Sequence, residues 1–174
     1  MTAYDECVIT PVYDRATRMH NDAIESVLNQ TVPVKEIIVV DDGSVVPVDP
    51  IASRANINIK VIKKENAGIG AARNAGIRDY KGSFIAFLDS DDVWVLDKIE
   101  KQLGSLHADS QIKAVYGKAQ QFYDADTDDV FRQTHPIFNP VIDAQISTAL
   151  LIRKDDILKV GEFSEHHATS VDIE

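Results

Sequence analysis

A single cysteine, Cys7, stands in the 174 residues, so no disulfide can close within the chain. That excludes the small stapled scaffolds of secreted domains and suits a reducing compartment. Basic residues are also few: 18 Lys plus Arg against 28 Asp plus Glu leave a formal net charge of −10. Such a chain has no general electrostatic reason to seek nucleic acid or an anionic membrane, and no dense Lys/Arg run supplies a local one. No apolar stretch reaches the roughly 18 residues of a membrane-spanning helix. The start, Met1-Thr-Ala-Tyr-Asp-Glu6, lacks the basic end and apolar core of a secretion signal. The expectation is a soluble, cytoplasmic chain, with any membrane association coming from other regions or from partners. With 44% hydrophobic residues it is not globally disordered, and its length suits one domain.

What is present alternates. Cys7–Thr10 reads as a short buried strand, with Cys7 a small hydrophobe inside it. Met19, Ala23, Ile24, Val27 and Leu28 recur at helical spacing, which predicts an amphipathic helix over about 18–30 that stops ahead of Pro33. Glu36-Ile-Ile-Val-Val40 is too short and too β-branched for a helix and reads as a strand buried on both faces. A third strand is read at Ile59–Ile62, a helix at Gly68–Asp79, a fourth strand at Phe84–Leu88, and a helix carrying Ile99, Leu103 and Leu106. This alternation defines an α/β domain with a mostly parallel sheet flanked by helices. Beyond about residue 110 the pattern loosens. Ala114–Gly117 and Thr148–Ile152 look like strands. The acidic run Asp124–Asp129 between them reads as a solvated turn, because it lacks the glycine and terminal Glu of a calcium loop.

Ligands of open α/β sheets bind at the carboxyl ends of strands, so the residues after each apolar run are the informative ones. After Val40 come Asp41-Asp42-Gly43-Ser44. They suit hydrogen bonding to the base or ribose of a nucleotide, and equally a plain turn with an Asx cap. After Leu88 come Asp89-Ser90-Asp91-Asp92. Three carboxylates in four residues repel when ionised, and a divalent cation relieves this. A Mg²⁺ or Mn²⁺ completed by phosphate oxygens fits better than an acidic turn. Asn66-Ala-Gly68-Ile-Gly70-Ala-Ala-Arg73-Asn74-Ala-Gly76 is a partial glycine fingerprint with Arg73 in place of the third glycine. Arg73 can attract phosphate or base carbonyls, or pair with Asp41, Asp42 or Asp89.

Taken in order, Pro11-Val-Tyr13-Asp14, Ser26–Thr31, Val39–Ser44, Asn66–Gly76 and Phe87–Asp92, with Ile152-Arg153, Val160–Glu165 and Val171-Asp172 beyond, resemble the family-two glycosyltransferases, inverting enzymes of the GT-A group. The resemblance spans essentially the whole chain. It implies one GT-A-like domain over 1–174, with a nucleotide-sugar-binding half at about 1–110 and an incomplete acceptor-binding half at about 111–174. It implies transfer of a sugar from a nucleoside-diphosphate sugar, UDP-linked by expectation, to a hydroxyl of a saccharide or lipid-linked acceptor in polysaccharide assembly. Pro11, Tyr13 and Asp14 would lie beside the base, Asp41 or Asp42 would hold it, and Arg73 would reach the base or the diphosphate. Asp89 would contact the ribose or sugar, and Asp91 would ligate Mn²⁺ or Mg²⁺. Asp172 would take the proton of the attacking hydroxyl, with Glu174 as the substitute.

Departures from the family pattern are Val171 for the usual Glu, Ser164 for the usual Asp, and Asp14 where Asn is common. Together with the end of the chain two residues after Asp172, they suggest a fragment and keep a non-catalytic nucleotide-sugar-binding homologue as an alternative. A phosphatase of the haloacid-dehalogenase type, with Asp89 as nucleophile, matches one motif only. His166-His167 reads as a surface loop, His20 and His107 as exposed helix residues, and Trp94 as core or rim.

Overall fold

The computed structural model describes residues 5–14, 17–46, 48, 57–123, 126–138 and 140–165. Its elements run β1 (Glu6–Val12), α1 (Thr17–Leu28), β2 (Glu36–Asp41), β3 (Asn58–Lys63), α2 (Ile69–Asp79), β4 (Phe84–Phe87) and α3 (Lys98–Ala108). The second part adds β5 (Ala114–Tyr116), β6 (Lys118–Gln120), α4 (Asp129–Thr134), β7 (Val141–Asp143), β8 (Leu150–Arg153) and α5 (Lys154–Val160).

Six strands form one sheet in the order β3-β2-β1-β4-β8-β5. The pairs β2/β3, β1/β2 and β1/β4 are parallel, while β8 runs antiparallel to both β4 and β5. The expected mostly parallel α/β sheet is therefore observed. Side chains alternate across each strand. Val8, Val12, Ile37, Val39, Ala86 and Leu88 face Ala23, Ile24 and Val27 of α1 and Ile99, Leu103 and Leu106 of α3. Cys7, Ile9, Ile38, Val40, Ile85 and Phe87 face α2, α5 and Phe163. Both faces are covered, which is why these strands read as unbroken apolar runs.

Pro11 sits inside the central strand β1, where a missing N–H is ordinarily costly. Ile9 accepts from Leu88 on the β4 side, and Val12 accepts from Asp42 on the β2 side. Alternation turns the nitrogen of Pro11 toward β4, where the ladder has already ended at the Ile9–Phe87 pair. The proline thus closes a half-strand that has no partner left.

One expectation changes beyond residue 110. Thr148 and Ala149 belong to a short 3₁₀ turn, Ser147–Ala149, and the strand begins at Leu150. The acidic run is solvent-exposed at Asp126, Asp128 and Asp129, and structure not read from the sequence flanks it. β6 and β7 pair antiparallel as a second, two-stranded sheet. Asp128 caps α4, its Oδ1 accepting from the Phe131 amide at 2.8 Å. A side-chain oxygen satisfying one of the free N–H groups at a helix start is the usual work of such an Asp.

Candidate functional site

The carboxyl ends of β1, β2 and β4 lie side by side, and their following turns meet the start of α2. Asp41 ends β2 and is 3% exposed. Its Oδ1 accepts from the Ser44 amide at 2.9 Å and its Oδ2 from the Val48 amide at 3.3 Å. Burial opposes ionisation of this carboxyl, but the hydrogen bonds from Ser44 and Val48 and the nearby Lys63 outweigh it and hold its pKa below the usual value. The Asx-turn reading of this segment is therefore realised. The Ser44 hydroxyl bonds the same carboxylate, so the partners of Asp41 lie in its own turn.

Asp42 is equally buried but bonds a different segment. Its oxygens accept from the amides of Ala67 (3.1 Å) and Gly68 (2.8 Å) and from the Lys64 ammonium (2.5 Å). Asp42 thereby fixes the glycine-bearing loop that leads into α2. Gly43, at φ 82°, makes the turn between the two segments, and a Cβ there would lie 2.8 Å from the Asn66 amide nitrogen. Only glycine meets both demands.

Asp14 ties β1 into the same turn. It adopts φ 44°, a left-handed conformation that Asp tolerates better than most residues. Its amide donates to Ser44 Oγ (3.1 Å), and its Oδ1 accepts from the Val45 amide (2.7 Å). The adjoining Tyr13 is half exposed and offers a ring beside the strand ends.

Arg73 is 1% exposed. Its Nη2 donates to Asp89 Oδ1 at 2.6 Å, and its guanidinium lies 5.3 Å from the centroid of Phe163. Nε and Nη1 have no hydrogen-bond partner. A buried guanidinium with one carboxylate and two idle donors is under-satisfied. Of the three pairings the sequence allows, Asp89 is the one formed.

Beyond Asp89 the chain turns, the Asp92 amide donating to the Asp89 carbonyl at 3.1 Å. Asp91 is exposed and Asp92 partly buried. Burial raises the Asp92 pKa, and the charges of Asp89 and Asp91 add to the effect. Among the described residues, no group of three or more His, Cys, Asp or Glu is arranged to hold a metal ion without help. The donor chemistry nevertheless fits Mg²⁺ or Mn²⁺, which take one or two carboxylates and complete their shells with phosphate oxygens and water. Asp91 would be the ligand.

Asn74, given no role by sequence reasoning, clamps the segment after α5. Its Nδ2 donates to the Phe163 carbonyl (2.8 Å) and to Glu165 Oε1 (2.9 Å), and its Oδ1 accepts from the Phe163 amide (2.9 Å). Arg78 reaches over from the same helix to Glu162 and Glu165. Phe163 meets Phe87 edge to face at 5.1 Å. A Cβ on Gly70 would lie 2.2 Å from the Ser164 carbonyl oxygen, so that glycine is required by close approach. The signal in the sequence was Asn74 directly after Arg73, a polar pair on the buried face of a helix. Asp172, Glu174 and His166-His167 lie outside the described residues. Trp94 is buried and donates from Nε1 to the Thr148 carbonyl (3.2 Å). His107 is exposed, its ring edge-on to Phe84.

A three-layer α/β domain with carboxylates and a buried arginine gathered at the strand ends has the build of the open-sheet folds that take ligands at that edge. Residues 7–161 match the family Glycosyl transferase family 2, and the chain belongs to that family. An uncharacterized glycosyltransferase of Rickettsia felis is 47% identical over 98 residues, covering 55% of this chain and 16% of that protein. Glycosyltransferase GlyA of Streptococcus pneumoniae is 34% identical over 116 residues, covering 63% of this chain and 16% of that protein. The matched stretch thus spans about a sixth of the length of each of these relatives. The crystal structure of S. aureus TarS 1-349 in complex with UDP superposes with a TM-score of 0.67 at 19% identity, covering 95% of this chain and 52% of that TarS 1-349 chain. It is a GT-A structure, and the likeness establishes the shared fold. Among the described residues no helix is long and apolar enough to cross a membrane.

Proposed function

We propose that the chain forms the donor-binding part of a metal-dependent, inverting glycosyltransferase that uses a UDP-sugar and transfers its sugar to an acceptor hydroxyl. One observation carries the reading: Arg73 is buried at the strand ends, with Asp89 on one nitrogen and the other two nitrogens without a hydrogen-bond partner. A diphosphate or base carbonyl of a bound nucleotide satisfies such donors.

Asp41 is the carboxylate of the pair that would accept from the base, since Asp42 is committed to the loop into α2 while Asp41 is bonded within its own turn. Pro11, Tyr13 and Asp14 would flank the base, and Asp89 would meet the ribose or sugar. A divalent cation at Asp91, when bound, offsets charge on the diphosphate. In the transfer the acceptor oxygen forms its bond to the anomeric carbon as the bond from that carbon to the diphosphate oxygen breaks. The bonding pair leaves with the nucleoside diphosphate, and the hydroxyl proton passes to a carboxylate. Asp172 is proposed as that base, with Glu174 in reserve. Asn74 and Gly70 would hold the segment that leads toward it.

Calorimetric titration with UDP, with and without Mn²⁺, tests the reading. Metal-dependent binding that is lost in Asp91→Ala is the expected result. Absence of UDP binding under all conditions refutes the UDP-donor reading.

A further inference from the structure

The segment Ser26–Thr31 belongs to the run of motifs yet adds no side chain to the carboxylates and arginine at the strand ends. It closes α1 and packs against the loop that joins the Asp89–Asp92 turn to α3. Ser26 Oγ donates to the Ala23 carbonyl in its own helix at 2.6 Å and accepts from the Trp94 amide at 3.1 Å. A serine bonded back to its helix has its proton committed and its lone pairs free, so the acceptor offered to Trp94 is fixed in direction. Gln30 is buried. Its Nε2 donates to the Val95 carbonyl at 2.8 Å and the Ser26 carbonyl at 3.1 Å, and its Oε1 accepts from the Ile99 amide at 3.1 Å. The Thr31 amide donates to the Leu96 carbonyl at 2.9 Å.

Backbone groups of Trp94, Val95, Leu96 and Ile99 are thus held by one short segment far back in the chain. The Ile99 amide is among the free N–H groups at the start of α3. Asp97, the N-cap residue, makes no side-chain bond there, so Gln30 supplies the acceptor from another element. The buried Trp94 ring bonds the Thr148 carbonyl through Nε1, which fixes this residue at ring and backbone alike. Asp91 lies three residues before Trp94, on a turn closed by the Asp92 amide on the Asp89 carbonyl. Its downstream end is therefore anchored at Trp94. We propose that Ser26 and Gln30 are positioning residues for the cation: they pre-set the backbone that carries Asp91, so that a divalent cation and a nucleoside diphosphate bind without first ordering it. Ordering a loop on binding costs affinity, and a loop already ordered avoids that cost. The inference rests on the donor reading above, in which Asp91 is the metal ligand. The base side, at Asp14 and Asp41, is tied by separate bonds, so loss of Ser26 or Gln30 should act on the cation's share of nucleotide binding alone.

The test is calorimetry of UDP binding in Mn²⁺ and in EDTA, with hydrogen exchange of each chain free of ligand. The variants are Ser26→Ala, Ser26→Thr, Gln30→Met and, as a packing control, Leu103→Val. In Ser26→Ala and Gln30→Met the gain in UDP affinity on adding Mn²⁺ should fall at least fivefold, while the affinity in EDTA stays within twofold of wild type. Ser26→Thr keeps the hydroxyl and should restore the gain. Leu103→Val loosens the core under α3 and keeps every bond of the loop, so it should lower the melting temperature and leave the gain intact. Exchange of the amides from Ser90 to Leu96 should quicken in Ser26→Ala and Gln30→Met and not in the control. Circular dichroism checks folding, and Ser26→Ala, which removes one hydroxyl from a half-buried position, decides alone if Gln30→Met does not fold. A full Mn²⁺ gain in these variants overturns the inference and leaves the donor reading. Equal losses in Mn²⁺ and EDTA, or the same loss in Leu103→Val, show a purely structural role and overturn it too. Unchanged exchange over 90–96 overturns it without recourse to any nucleotide. Wild type that binds no UDP at all refutes the donor reading, and the inference with it.

Discussion

Glu6 offers a quantitative test of how the sheet is built. It is the first residue of β1, fully buried, and neither carboxylate oxygen has a hydrogen-bond partner. Burial raises its pKa from 4.5 to about 7, with the charge of Asp5 adding to the effect. The folded protein therefore holds this proton more tightly than the unfolded chain does. Folding is unpenalised below the unfolded pKa of 4.5, and stability falls as pH rises from there through about 7. A shift of that size corresponds to about 3 kcal/mol, a large fraction of the 5–15 kcal/mol typical of a domain. In melting temperature it corresponds to about 6–12 °C for a chain of this length. The assay is urea denaturation of wild type and Glu6→Gln between pH 4.5 and 8. The stability difference between the two should move by about 3 kcal/mol in favour of the variant as pH rises. A difference that stays constant across this range refutes the reasoning, because it would mean the carboxyl ionises as readily folded as unfolded.

Lys98 should show the opposite slope. Burial lowers its pKa to about 7, with its ammonium 3.9 Å from the centroid of the Trp94 ring, so stability should rise with pH between about 7 and 10.5. Lys98→Met should flatten that rise, read by denaturation at pH 7, 8.5 and 10. Asn74→Ala strips both backbone groups of Phe163 of their side-chain partner and should cost about 2–4 kcal/mol, with faster amide exchange confined first to residues 161–165. Gly70→Ala drives a methyl into the Ser164 carbonyl and should cost about 1–3 kcal/mol, measured by thermal melting, with the same exchange signature. Asp42→Ala frees the Ala67 and Gly68 amides and should cost about 3 kcal/mol. Calorimetry should show UDP affinity falling with it, since the loop into α2 loses its anchor.

The first four strands and three helices were legible because each carries a local signal strong enough to decide it. Ile37–Val40 can be little other than a strand covered on both faces, and Ala23, Ile24 and Val27 mark a single apolar stripe. The turn chemistry after Val40 and Leu88 was legible for the same reason, since carboxylates next to glycine or serine at strand ends have few structural uses. Past residue 110 the strands at Ala114 and Leu150 were still legible, but the signal between them failed. Strands β6 and β7 are three residues each, and α4 buries none of its side chains. Short elements on an exposed surface leave no periodicity to read, so the acidic run hid a capped helix.

Composition and local pattern settled the class of fold, its single mostly parallel sheet and the strand ends at which chemistry gathers. These follow from hydrophobic period and turn residues alone. Which carboxylate does what was decided by contacts between residues far apart in the chain. Asp41 and Asp42 are neighbours of the same type, and only the approach of Ala67, Gly68 and Lys64 turns one to the loop into α2 while the other closes its own turn. Arg73 had three possible partners within reach of the pattern, and only packing selected Asp89 and left two donors idle. Asn74 reaches Phe163, 89 residues away, and no local pattern specifies such a bond. Hydrogen bonds and ion pairs depend on position in space to within fractions of an ångström, and that position is a property of the whole folded chain.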